Sequence, residues 1–235
     1  MLRSLPLAWK IFGLALGTLL AAVLLLQAWY YAHILWWTHE APAASAFMER
    51  RLEELRAKNP KASLRHQWVP YARISAELKR AVIAAEDAKF IDHDGFDWEA
   101  IQKAMQKNQR KGRVMAGAST ISQQLAKNLF LSGERSWLRK AQEAVITAML
   151  EHAMGKRRIL ELYLNFGEWG DGVFGAEAAA RRHFGVPASA LEPGQAAWLA
   201  AILPSPRRYD RGRGSAYVDR RVATIRSRMG FVQIP

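Results

Sequence analysis

The stretch "AAEDAKFIDHDGF", residues 84–96, closes an apolar run with two adjacent carboxylates, Glu86 and Asp87. Phe90, His93 and Gly95 follow within ten residues. Counting back by fours from Glu86 gives Val82 and Leu78. Positions four apart lie on nearly one face of a helix. The spacing therefore predicts a helix whose apolar stripe Glu86 continues. A carboxylate placed there loses water, which raises its pKa and makes it a better base. Position alone also admits a frayed helix end, where acids are common.

On the C-terminal side the chain reads mostly as helices separated by Gly-containing turns. One helix starts at Asp97, a natural N-cap, and is expected to carry Trp98, Ile101 and Met105 inward. "KGRVMAGAS" (111–119) reads as a loop. In "STISQQLAKNLF" (119–130), Thr120 and Gln123 have the spacing of a capping box. Ile121, Leu125 and Leu129 form one face of that helix, and Thr120, Gln123, Gln124 and Lys127 another. The polar face begins at a helix N-terminus, where free N–H groups and the helix dipole favour an anion. Lys127 adds a full charge two turns along, a combination suited to phosphate. An ordinary amphipathic surface helix has the same pattern.

"WLRKAQEAVITAMLEH" (137–152) carries Leu138, Ala141, Val145, Ala148 and His152 on one face, with Glu143 opposite and near Ile146, Leu150 and Met154. A helix apolar on two sides is expected at the centre of its domain. Glu143 is then partly buried, or simply paired with Arg139 one turn back. Later segments read as structural. Glu161 is expected to pair with Arg157 or Arg158, and His183 to be a packed surface histidine. "QAAWLAAILPSPRRY" reads as an apolar helix ending at a Pro-rich turn. There is no cysteine, no His-x-x-x-His spacing, no P-loop and no Gly-x-Ser-x-Gly elbow.

On the N-terminal side, residues 38–75 are mixed, with a helix near 45–58 and an extended stretch around "HQWVPYARIS". Residues 11–37 contain no Asp, Glu, Lys or Arg. A helix of ~25 residues is about 38 Å long, enough to cross a hydrocarbon core of roughly 30 Å. Trp29, Tyr30, Tyr31, Trp36 and Trp37 sit near its end, where rings favour the interface. A signal-peptide core is shorter, ~7–15 residues, so an uncleaved anchor is expected. Arg3 and Lys10 precede the span, and the next Lys or Arg is Arg50. That bias puts the N-terminus in the cytoplasm and the rest outside, which removes nucleic acid as a partner. The net charge is +13, and Ala100–Gly133 has Lys103, Lys107, Arg110, Lys111, Arg113 and Lys127 but no acid. Such excess suits an anionic membrane or a phosphate-bearing substrate, and a solvated basic surface carries it equally.

These motifs together resemble the peptidoglycan glycosyltransferases, glycosyltransferase family 51. The signatures read here "EDAKFIDHDG" (86–95), "GASTISQQLAKN" (117–128), "RKAQE" (139–143), "KRRILELYLN" (156–165) and "GVFGAEAAARRHFG" (172–185), ahead of "AAWLAAILPSPRRY" (196–209). The resemblance covers about residues 70–210 and the anchor. Ala118 and Ser122 stand where the family more often has Gly and Thr, and His183 where Tyr is usual. Bifunctional relatives continue into a transpeptidase domain, which a chain ending at Pro235 is not expected to have.

The resemblance implies a mainly α fold: a lysozyme-like lobe over residues 70–235 with a membrane-proximal jaw near 97–118. A juxtamembrane segment (38–69), the anchor (11–37) and a cytoplasmic N-terminus (1–10) would precede it. It implies polymerisation of lipid II with inversion at the donor MurNAc C1 and release of undecaprenyl diphosphate. Glu86 becomes the general base, with Asp87 supporting it and Phe90 and His93 fixing the turn. Ser119, Thr120, Gln123, Gln124 and Lys127 match the donor-site motif, Arg135 a diphosphate-binding Arg, and Glu143 the second essential Glu. An acid beside a diphosphate calls for a cation between them: Lys140, Arg139 or a divalent ion (Mg²⁺ or Mn²⁺). Implied partners are lipid II, the growing lipid-linked glycan, the anionic inner membrane and proteins of cell-wall synthesis or division. A lytic enzyme of the same fold and a non-catalytic membrane-anchored scaffold are the alternatives.

Overall fold

The structure, a computed structural model, describes residues 6–112, 117–131, 133, 136–210 and 215–235. It is about 67% helical. The helices are α1 (Leu7–Trp36), α2 (Ala46–Arg56), α3 (Ala76–Glu86), α4 (Trp98–Lys111), α5 (Ile121–Phe130), α6 (Trp137–Ala153), α7 (Lys156–Phe166), α8 (Ala176–Phe184), α9 (Pro193–Ile202), α10 (Pro206–Tyr209) and α11 (Ala216–Met229). Three short strands, β1 (Arg65–His66), β2 (Glu168–Gly170) and β3 (Val173–Phe174), form a sheet in the order β1-β3-β2. β1 lies parallel to β3, with His66 opposite Phe174, and β2 runs antiparallel to β3.

Two helical groups make the core: α3 against α9 and α11, and α5 against α6 and α7. Leu78 and Val82 of α3, Ile121 and Leu125 of α5, and Ile146 and Leu150 of α6 are fully buried. The stripe leading to Glu86 is thus a core stripe. Glu161 pairs with Arg158 at 2.6 Å, one of the two expected partners. His183 is buried, not on the surface. Its Nε2 lies 2.9 Å from the Trp169 carbonyl and its ring against Trp198.

α1 is long and apolar enough to cross a membrane. Its C-terminal half touches the folded body. Gln27 and Gln142 exchange two amide hydrogen bonds of 2.9 Å, Trp37 stacks on Phe130 at 5.0 Å, and Ile34 is buried.

Two expectations about inward faces are overturned. Asp97 caps α4, accepting from the Ala100 N–H at 2.8 Å. Yet no described residue of α4 is buried, and Trp98 and Met105 are 72% and 67% exposed. On α6 the face bearing Leu138 and Val145 is also open, and Leu138 is 85% exposed; only the face with Glu143, Ile146, Thr147 and Leu150 packs inward. An amphipathic pattern states that a face avoids water, not whether protein or lipid covers it. Beside a helix long and apolar enough to cross a membrane, lipid is the second option.

The chain has no cysteine, so Trp98→Cys gives a unique site for an environment-sensitive fluorophore. In proteoliposomes of anionic lipid its emission should be blue-shifted relative to the same label at Lys58→Cys, on an exposed turn. Equal emission at both sites would show that α4 stays in water.

Candidate active site

The site begins where α3 stops. Glu86 is its last helical residue, and its side chain is 12% exposed. Asp87 leaves the helix, and its buried carboxylate accepts from the Ile121 N–H at 3.0 Å and faces His93 Nε2 at 2.9 Å. His93 Nδ1 accepts from the Gly95 N–H at 3.2 Å, so in the neutral ring Nε2 carries the proton and donates to Asp87. Phe90 is fully buried, with the Lys156 ammonium 4.7 Å from its ring centroid. Gly95 has φ +89°, and a Cβ there would lie 2.7 Å from Thr147 Cγ2. Both the backbone sign and the close approach require glycine.

The first turn of α5 meets this loop. Thr120 and Gln123 form the expected capping box. The Thr120 hydroxyl donates to the Gly95 carbonyl at 2.7 Å and accepts from the Gln123 N–H, while Gln123 Oε1 accepts from the Thr120 N–H at 3.1 Å. This revises the view of that helix end as an open anion site. Asp87 is itself the anion at the N-terminus of α5, and the Thr120 hydroxyl is committed to the cap. Asp87, Thr120 and His93 therefore lock α3 to α5.

Glu86 accepts from Gln124 Nε2 at 2.9 Å and lies 3.5 Å from Arg221 Nη2. Burial pushes its pKa up and the Asp87 charge adds to that; the Gln124 hydrogen bond and the Arg221 and Lys127 charges oppose it. One turn further along α5, Lys127 faces Glu143 of α6. Glu143 is 3% exposed and is held by Arg139 at 2.8 Å and by Lys140. Lys127 forms no ion pair among the described residues. Burial pulls its pKa down, Glu143 opposes that, and Arg139 and Lys140 reinforce it.

Two cavities share this wall. One of about 640 Å³ is lined by Ser119, Gln123, Gln124, Lys127, Arg139, Lys140 and Glu143. The other, about 340 Å³, is lined by Glu86, Asp87, Lys103, Ser119 and Thr120. Ser119 borders both, and Gln124 lines the first while bonding the carboxylate that lines the second. A desolvated carboxylate and the cations Lys127, Arg139 and Lys140 thus border two cavities that meet at Ser119. Arg135, Arg113 and Arg3 lie outside the described residues.

Several lining groups escaped sequence reading. The far wall of the larger cavity includes Phe47, Tyr163, Glu168, Ser205, Arg207 and Arg208. The Pro-rich turn, expected to be structural only, is part of it. Glu168 is buried against Arg51 at 3.1 Å, with Arg207 at 3.6 Å. Burial raises its pKa and Arg51 opposes the rise. Arg221 had no local signal either, since an Arg in an amphipathic helix is ordinary. "PSPRRY" did carry one: paired arginines directly after a helix-ending turn.

Among the described residues, those at the site do not fit a protein-built divalent site. Both Glu143 oxygens are taken by Arg139 and Lys140. Among the described residues no three His, Asp or Glu converge.

A family model described as transglycosylase matches residues 51–230. The chain is 56% identical over 230 residues to a biosynthetic peptidoglycan transglycosylase of Azoarcus sp. (strain BH72), covering 97% of this chain and 98% of that one. It is 59% identical over 226 residues to the protein of that name from Aromatoleum aromaticum, covering 95% and 96%. A third similar protein of that name, from Laribacter hongkongensis, is 57% identical over 229 residues, 97% of this chain and 100% of its own length.

Proposed function

The chain belongs to the transglycosylase family and is a peptidoglycan glycosyltransferase of lysozyme-like fold; from that premise we propose that it joins lipid II units into β-1,4 glycan with inversion at the donor MurNAc C1. The observation that carries this reading is the meeting of the two cavities at Ser119. Glu86 borders the smaller cavity, and Lys127, Arg139 and Lys140 border the larger one.

An acceptor GlcNAc 4-hydroxyl in the smaller cavity gives its proton to Glu86 as its oxygen bonds to C1. The C1–O bond to the lipid diphosphate breaks, and the leaving group departs with the electron pair into the larger cavity. Attack from one side and departure to the other give inversion. The charge growing on the diphosphate meets cations already in place, so stabilisation is greatest in the transition state. Glu143 takes no proton in this scheme. It holds Arg139 and Lys140 at the cavity wall, the role that sequence left open between these cations and a metal. Gln123 and Ser119 line the donor side, and Asp87 fixes the turn beneath the base.

α1 supports a single-pass anchor in the inner membrane, and the Lys10-to-Arg50 gap in basic residues supports a cytoplasmic N-terminus and a periplasmic catalytic domain. The anionic membrane and lipid-linked glycan are the partners this placement supplies.

The raised pKa of Glu86 also favours a second reading, since lytic enzymes need a protonated acid. A sugar alkoxide is a poor leaving group and requires that proton, whereas a diphosphate requires cations. Purified protein should therefore convert lipid II to polymer and leave lipid-free sacculi intact when soluble fragments are chromatographed. Muropeptide release at a rate comparable to lipid II consumption would overturn the assignment.

A further inference from the structure

We propose that Tyr163 is a positioning residue for the reaction: its hydroxyl fixes the Gln124 side-chain amide so that the N–H side, and not the carbonyl, faces Glu86. The inference rests on the reading of Glu86 as the base.

Gln124 bonds on both sides. Its Nε2 lies 2.9 Å from Glu86 Oε2, and its Oε1 lies 3.0 Å from the Tyr163 hydroxyl. An ionised carboxylate only accepts, so the amide must present N–H to it. Nothing within glutamine enforces that choice, because the terminal amide torsion is broad and nearly two-fold. Tyr163 enforces it. Its side chain is on α7 and nearly fully buried, and burial, then the Glu86 and Asp87 charges, hold its pKa well above the ordinary value. It keeps its proton, and Gln124 Oε1 accepts it; with the amide turned the hydroxyl could accept from Nε2 but would lose that acceptor for its own proton, so the carbonyl end is favoured. The relay crosses three helices, from α7 through α5 to the end of α3.

The other charged groups acting on Glu86 are Arg221 from α11, Asp87 next in the chain and Lys127 from α5. Arg221 is itself anchored, with Nε donating to the Ala201 carbonyl at 3.2 Å. None of these orients the amide. With the Tyr163 hydroxyl gone, Gln124 is free to turn its carbonyl towards Glu86. That carbonyl repels a carboxylate and accepts from a carboxylic acid, so the protonated form gains. The base works only when deprotonated, so the acid limb of activity must move to higher pH.

The experiment is the pH profile of kcat for the full-length enzyme on lipid II. Tyr163→Phe should move the acid limb upward by roughly half to one pH unit, about 3- to 10-fold in rate on the acid side. Its rate should converge on wild type at alkaline pH, with KM unchanged. Gln124→Leu should move the limb the same way, and Tyr163→Phe should add no further shift in the Gln124→Leu background. A merely structural hydroxyl would lower rate equally at all pH values. An unmoved limb in Tyr163→Phe, or an additive shift in the double variant, overturns the proposal. Glu86→Gln separates the two failures. Full activity in that variant removes the base reading; loss of activity there with an unmoved limb in Tyr163→Phe removes only the role of Tyr163.

Discussion

Glu86→Gln should lower lipid II turnover by ~10²–10⁴-fold while the thermal midpoint stays within a few degrees of wild type. The substitution keeps the shape of the side chain and leaves its oxygen able to accept from Gln124, but it removes the proton acceptor. The helix does not depend on ionisation of this group, because Glu86 lies at the C-terminal end of α3, and its position is set by Leu78 and Val82 beneath it. Burial is also why the effect is large. In water a carboxylate is a weak base for a sugar hydroxyl; here desolvation lifts its pKa. In the wild-type enzyme activity should rise with pH through that raised pKa, since the base acts only when ionised. The measurement is continuous turnover on lipid II beside a melting curve. Activity within a few-fold of wild type, with the fold intact, would remove Glu86 from the chemistry.

Lys127→Ala should cost about 10- to 100-fold in turnover, the loss of a charge-assisted contact worth roughly 1.5–3 kcal/mol. Among the described residues five cations line the larger cavity, Lys127, Arg139, Lys140, Arg207 and Arg208, but they are not equivalent. Arg139 and Lys140 are already paired with Glu143, whereas Lys127 has no ion pair among the described residues. Its charge is therefore available to an incoming diphosphate. Burial lowers its pKa and the Glu143 charge opposes that, so a bound diphosphate would favour its charged form. The competitive effect of a short-chain prenyl diphosphate should weaken in parallel with turnover. If both quantities are unchanged, the diphosphate does not sit beside α5.

The apolar helical stripe before Glu86 and the capping box at Thr120 were readable from sequence because both are local. A run of apolar positions at helical spacing ending in an acid, and a Thr-x-x-Gln before a second run, are each decided by a few neighbouring residues. Glu143 was legible for the same reason: its face of α6 is shared with Ile146 and Leu150, and its partner Arg139 is one turn away. The inward placement of Trp98, Met105 and Leu138 failed on a different point. Periodicity identifies a face that avoids water, but here Trp98, Met105 and Leu138 stay exposed among the described residues.

By itself, the sequence determined a helical protein with one long apolar N-terminal stretch, the N-caps of α4 and α5, and a carboxylate and a lysine on helix faces that lose water. Only the tertiary structure decided what those groups face. It put Asp87 on the amides that looked free for substrate. It brought Tyr163 and Arg221 to Glu86 from 77 and 135 residues away along the chain. It placed Glu86 and the cations of α5 and α6 on separate cavities that meet at Ser119. Helix periodicity and capping are settled by contacts within about four residues, so they are written in short stretches of sequence. Burial of a charge, the orientation of an amide and the partition of a cavity arise where distant helices meet, and no local pattern encodes them.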